Sequence, residues 1–340
     1  MLAFIIRRLL QAVIVMLTVG AIAFSLFHYV GDPINSLVGI DTPMEDRVKL
    51  RLKLGLDDPA IIQFARYMGD AVQGKFGLSY RLSRPVMDVI KERLPATLEL
   101  SFVAAMVALI VGVGLGVFTG LYPRRSLSRF FLTVSLVGVS LPPFLVGILL
   151  IMVFSVACTG WADSLGLGNG VCLPSFGRGD TVNIGGWTTG FLTASGLKAL
   201  ILPAITLGLF QLTLIMRLVR SEMLEVMRTD YIKFARARGL SNRAINLGHA
   251  LKNTLVPVIT ITGLQLGGII AFAVITETVF SWPGMGLLFI QSVQSVDIPV
   301  MATYLLLIAL FFVVINLIVD MLYYAVDPRL RAVGAVKAGG

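Results

Sequence analysis

The chain has 340 residues, 56% of them hydrophobic and 14% charged, with a net charge of +9. A mean hydropathy of +0.88 excludes an ordinary soluble domain and points to an integral membrane protein. The basic residues are spread along loops without a nucleic-acid-binding motif, so the charge argues for membrane topology and against a nucleic-acid partner.

A membrane-spanning helix needs about 20 mainly apolar residues. Six segments qualify, which predicts an all-α integral membrane protein with six transmembrane helices. The first, Leu9 to Val30, has too long an apolar run for a signal-peptide core, and no small-x-small cleavage site follows it. Residues 31–95 are of mixed charge and long enough for a small external lobe. The second span, Ala96 to Leu121, carries Glu99 in its first turn and then Gly112, Gly114, Gly116 and Gly120. The spacing of Gly112, Gly116 and Gly120 suits close helix contact. The third, Phe130 to Ala157, contains Ser140-Leu141-Pro142-Pro143-Phe144, and proline predicts a kinked helix that either lines a pathway or serves packing. Residues 159–198 are rich in Gly, Thr and Ser and read as an external loop. The Gly177-Arg178-Gly179-Asp180 string of that loop has the Gly-x-Gly-Asp form of intramembrane aspartyl proteases, but it sits in a polar external loop and is discounted.

The remaining spans are Leu200 to Val219, Leu255 to Phe280 and Met301 to Ala325. Gln211, Gln265 and Asn316 lie within spans, where polar groups face the bundle interior and touch either cargo or a neighbouring helix. Glu277 is twenty residues past Pro257, about 30 Å along a helix, which places it near the outer surface. Pro142, Pro143, Gln211, Gln265 and Glu277 are the candidates for a translocation path.

Between spans four and five, residues 220–254 are basic and polar. From Asp230 to Pro257 helix-forming residues run into Gly239, and Ser241 can cap a second helix directed toward Pro257. A helix–Gly turn–helix at a membrane rim suits gripping by a soluble partner. Lys and Arg before span one, between spans two and three, between spans four and five, and after span six must share one side. Both termini, including the tail 326–340, are therefore expected in the cytoplasm. Cys158 and Cys172 face the opposite, oxidising side and form a disulfide candidate, with two unpaired thiols as the alternative. They are too few for a thiolate zinc site, and no metal site is expected. There is no His-Glu-x-x-His motif, no Gly-x-Ser-x-Gly elbow and no Walker loop, so no catalytic residue is assigned.

The stretch Asp230-Tyr231-Ile232-Lys233-Phe234-Ala235-Arg236-Ala237-Arg238-Gly239-Leu240, with His249, Asn253 and Pro257 downstream, resembles the cytoplasmic signature of bacterial ABC importer permeases in the dipeptide/oligopeptide/nickel family. That signature reads Glu-Ala-Ala, three residues, Gly. Here Lys233-Phe234-Ala235 stand at its first positions, so only the second Ala is retained. Further matching strings are Met1 to Arg8, Gly31-Asp32-Pro33, Leu54 to Pro59, Lys75 to Ser79, Leu94 to Leu100, Glu277 to Gly286 and Asp327-Pro328-Arg329. The large lobe after span one resembles the first of the two permeases in dipeptide-type systems.

The resemblance implies a transport subunit rather than an enzyme, with a coupling helix at about Tyr231 to Arg238 ending at Gly239. It implies a second homologous permease, two ATPases that hold ATP and Mg, a periplasmic or lipid-anchored substrate-binding protein, and a peptide cargo. Nickel, glutathione or another small solute is the alternative cargo. An ion-coupled secondary transporter would show inverted repeats, which the sequence does not display convincingly. A membrane enzyme would need a catalytic constellation.

Overall fold

The computed structural model describes residues 2–29, 43–54, 57–166 and 169–326. The strings Gly31-Asp32-Pro33 and Asp327-Pro328-Arg329, and most of the tail 326–340, lie outside the described residues. In chain order the helices are α1 (Leu2–Tyr29), α2 (Met44–Leu54), α3 (Ala60–Val72), α4 (Val86–Leu121), α5 (Ser126–Ser140), α6 (Pro143–Ile151) and α7 (Ala157–Ser164), the last two joined by a π-helical turn, Met152–Val156. Strands β1 (Val182–Ile184) and β2 (Trp187–Thr189) follow. Then come α8 (Ala194–Val226), α9 (Asp230–Ala237), a π-helical segment Ala244–Leu251, α10 (Lys252–Val279), α11 (Met285–Gln294) and α12 (Ile298–Val326).

Among the described residues, five helical stretches are long and apolar enough to cross a membrane: Ile6–Ser25, Val86–Leu121, Pro143–Ser164, Ala194–Val226 and Ile298–Met321. The expected fifth span, Leu255 to Phe280, falls largely on α10, whose counted apolar stretch, Gly267–Val279, is shorter. The expected third span is divided. Leu141 precedes Pro142 and Pro142 precedes Pro143, and a residue before proline is pushed out of the helical region. Both are extended, with ψ of 139° at each. Two successive restrictions give a break in place of the expected kink, and Pro143 then opens α6 at a position that suits proline.

The chain divides into two compact units, Met1–Pro95 with Gly284–Val313, and Ala96–Pro283 with Val314–Gly340. In the first, α1, α3 and the start of α12 enclose a cluster of Ala23, Ala302 and Leu306, ringed by Val19, Tyr67 and Phe76. The buried carboxylate of Asp297 accepts hydrogen bonds from the Ser79 hydroxyl, from Tyr80 N at 3.1 Å and from Arg81 N at 3.3 Å, which pins residues 79–81 to the start of α12.

The second unit is organised by a tight seam between α4 and α8. A Cβ on Gly112 would stand 3.0 Å from Ile215 Cγ2, one on Gly116 2.6 Å from Val219 Cβ, and one on Gly120 2.8 Å from Met223 Cβ. From the other side, a Cβ on Gly208 would meet Ala104 O at 2.8 Å. The small-xxx-small spacing therefore serves contact within the chain. Thr193 caps α8, its hydroxyl accepting from Gly196 N at 3.0 Å. Trp282, fully buried, donates from Nε1 to Ala96 O at 3.0 Å.

The region 159–198 is more ordered than a loop, and the fold is correspondingly not wholly helical. β1 and β2 pair antiparallel, Val182 with Thr189 and Ile184 with Trp187, around Gly185-Gly186. Both glycines have positive φ, 57° and 89°, as a two-residue hairpin turn of this hand requires. Cys158 and Cys172 are joined in a disulfide with a Cα–Cα distance of 5.6 Å.

Candidate functional site

The Asp230–Pro257 stretch folds into a compact platform. α9 buries Ile232 and Ala235 against Val219, Met223, Ile245 and Ala250. Its outer face stays exposed and carries Tyr231, Phe234, Arg236 and Arg238, with Ala237 and Leu240 at its end. Gly239 has φ of +77°, a left-handed conformation that glycine adopts at little cost. It permits a double closure of α9: Gly239 N donates to Arg236 O at 2.9 Å and Leu240 N to Ala235 O at 3.3 Å. This pattern satisfies carbonyls that a helix end otherwise leaves open.

Ser241 Oγ accepts from Ala244 N at 3.3 Å and so caps the returning segment. That segment is π-helical over Ala244–Leu251 and continues as α10 through Pro257 to Val279. Asn253 bridges the two arms, its Nδ2 donating to Tyr231 Oη at 2.9 Å and to His249 O at 3.0 Å. Lys233 pairs with Asp230 at 2.8 Å. The Arg238 guanidinium lies 5.7 Å from the Phe234 ring centre, a cation–π distance. α9 thus presents an exposed aromatic and arginine face on a locked helical turn.

A second feature lies at the break between α5 and α6. A cavity of about 410 Å³ is lined by Pro142, Pro143, Gln211, Phe210, Phe272 and Thr276, among others. Of the candidates for a translocation path, Pro142, Pro143 and Gln211 meet here. Gln265 does not line this cavity; its backbone carbonyl lies 3.5 Å from Gln211 Nε2. Glu277 is buried away from it and accepts a hydrogen bond from Thr97 Oγ1 at 2.6 Å.

Sequence reasoning overlooked the partner of Glu99. Arg178 Nη2 reaches Glu99 Oε2 at 2.5 Å, with the two side chains 6% and 3% exposed. The same guanidinium donates to Thr188 O at 2.7 Å. Glu99 also accepts from Gly190 N at 3.3 Å and Trp187 Nε1 at 3.4 Å. The Gly-x-Gly-Asp string is thus the support of a buried ion pair. Its clue was the lone Arg178 in a nearly neutral loop, beside a span that opens with an unpaired carboxylate.

The long apolar spans define a class: a multi-pass membrane protein, with an exposed helical turn between two of its long helices. Residues 112–332 match the family of binding-protein-dependent transport system inner membrane components, and residues 1–101 match the N-terminal region model of the same kind of component. The chain belongs to this family and is a multi-pass inner-membrane protein. It is 36% identical over 344 residues to the dipeptide transport system permease protein DppB of Alkalihalophilus pseudofirmus, covering 97% of this chain and 100% of the relative. It is likewise 36% identical to the glutathione transport system permease protein GsiC of Escherichia coli, covering 97% and 99%. To the probable D,D-dipeptide permease DdpB of Escherichia coli it is 37% identical, covering 95% and 96%. Among solved structures, a chain of the MetNI methionine ABC transporter in an inward-facing conformation shares the fold, with a TM-score of 0.54, 19% identity and coverage of 72% of this chain and all of that one.

Proposed function

We propose that the chain is a permease subunit of an ATP-driven ABC importer for di- or oligopeptides. The observation that carries this reading is full-length similarity to dipeptide permeases together with the closed, surface-exposed turn at Gly239. In this reading six spans place both termini in the cytoplasm, residues 31–95 form an external lobe, and residues 220–254 form the cytoplasmic coupling region. A second homologous permease completes the path. Two ATPases, which hold ATP and Mg, each seat one coupling helix, and a substrate-binding protein delivers cargo from outside. α9 transmits ATPase motion because Ile232 and Ala235 root it in the cluster that includes Val219 and Met223 of α8. Force on its exposed face therefore reaches a long helix of the core without an intervening flexible link.

Glutathione is the second reading for cargo, supported by the equal identity to the glutathione permease. The test is uptake of labelled di-, tri- and oligopeptides, glutathione and nickel by cells in which the gene is deleted and restored. ATP-dependent uptake of one peptide class should disappear and return. Loss confined to glutathione or nickel would keep the architecture and replace the cargo. No change in any of them would overturn the peptide assignment.

A further inference from the structure

We propose that the Cys158–Cys172 bond is a redox-sensitive latch: a dithiol opens it and thereby releases the strand that carries Arg178 to Glu99. The external placement of residues 159–198 enters only in saying from which side the dithiol comes, and there the proposal rests on the reading given above. Three observations carry it. First, the bond is within reach. Cys158 and Cys172 are each only half-buried, and Thr159, Gly160, Gly170 and Val171 beside them are exposed.

Second, the bond heads a continuous run of contacts. Directly after Cys172, Leu173 N donates to Phe154 O at 3.1 Å, and the Leu173 side chain packs on Ile151, Leu202 and Phe280. The Ser175 hydroxyl meets that of Ser155 at 2.5 Å, Gly177 N donates to Phe280 O at 2.9 Å, and Arg178 closes the run on Glu99. Single hydrogen bonds of this kind are each of modest net worth. Third, the covalent closure outweighs any one of them. The two cysteines are 14 positions apart, and closing a loop of this length favours the closed strand about a hundredfold. The Arg178 guanidinium is in turn what ties Thr188 O of the hairpin to Glu99 of α4. An opened latch therefore loosens the hairpin and uncovers Glu99, while the glycine seam between α4 and α8 stays packed.

The exchange balances. One thiolate of the dithiol attacks a cysteine sulfur, the S–S bond breaks, and the other cysteine leaves as a thiolate that takes up a proton. The second thiol then displaces the first cysteine from the mixed disulfide. The dithiol loses two electrons and two protons and becomes a disulfide, and the chain gains two thiols. An oxidising compartment keeps the latch closed by default.

The test is hydrogen exchange read by mass spectrometry on the purified full chain, before and after dithiothreitol. Two thiols should appear per folded chain, and exchange at Leu173 and Gly177, whose N–H groups bond to Phe154 O and Phe280 O, should quicken about a hundredfold. The seam, Gly112 to Gly120, should keep its protection. Arg178→Met in the oxidised chain should quicken exchange in the hairpin and leave Leu173 protected, which orders the latch ahead of the ion pair. Cys158→Ser with Cys172→Ser should match the reduced chain and ignore dithiothreitol; if that variant misfolds, reduction of the folded chain decides by itself. Unchanged exchange at Leu173 and Gly177 after reduction, a rise spread equally over the seam, or no thiols without unfolding would overturn the proposal. The measurement involves no cargo. An impermeant maleimide that reaches the new thiols only in inverted vesicles would reject the external placement and retain the latch; labelling from outside with unchanged exchange would do the reverse.

Discussion

Replacing Arg178 by methionine keeps the aliphatic stem and removes the charge from a pair whose side chains are 6% and 3% exposed. Glu99 would keep only its two long contacts, to Gly190 N at 3.3 Å and Trp187 Nε1 at 3.4 Å, as partners for a buried negative charge. Thr188 O would lose its 2.7 Å donor as well. Breaking a buried pair on one side costs about 3–5 kcal/mol, whereas replacing both partners is often close to neutral. Arg178→Met alone should therefore lower the unfolding midpoint of the detergent-purified chain by about 6–10 °C, at about 2 °C per kcal/mol for a protein of this size. Arg178→Met combined with Glu99→Gln should recover most of that loss, to within about 2 °C of the parent. The assay is a thermal melt followed by tryptophan fluorescence, with the four proteins of the cycle compared. A double variant as unstable as the single one, or a single variant indistinguishable from the parent, would refute the view that an uncompensated buried charge sets the cost.

Gly239→Asp should leave the chain able to co-purify with its ATPases while abolishing uptake, since a side chain at φ of +77° misaims α9; wild-type uptake in that variant sinks the coupling assignment. Gly116→Leu should reduce the yield of folded protein severely, because even a Cβ there stands 2.6 Å from Val219 Cβ and 2.8 Å from Met216 O; size-exclusion chromatography reads the outcome. Asp297→Ala should destabilise by about 3 kcal/mol, since it strands the Ser79 hydroxyl and two backbone N–H donors that now bond to a buried carboxylate; an unchanged melting midpoint would contradict this.

The parts of the fold readable from sequence are those governed by local rules. Long apolar runs mark the spans, and the ending of α9 at Gly239 and the cap at Ser241 are short-range backbone chemistry. Two local signals were passed over. Gly185-Gly186 between Val-Asn-Ile and Trp-Thr-Thr is a hairpin turn signature, and Pro142-Pro143 imposes two adjacent restrictions where a kink needs only one. The Glu99–Arg178 pair was out of reach for a different reason. Its members are 79 residues apart, and Arg178 sits in a Gly-rich polar setting that reads as solvated until the hairpin covers it. Likewise, Gln211 and Thr276 share a cavity only because α8 and α10 lie side by side, a fact no periodicity within either helix records.

The glycine seam has a mechanical consequence. Three contacts at successive turns, Gly112 to Ile215, Gly116 to Val219 and Gly120 to Met223, act as teeth in a rack. Sliding α4 along α8 by less than a full turn, about 5.4 Å, would drive branched side chains into backbone. Such a pair moves as one girder. Displacement during a transport cycle is left to joints outside this seam.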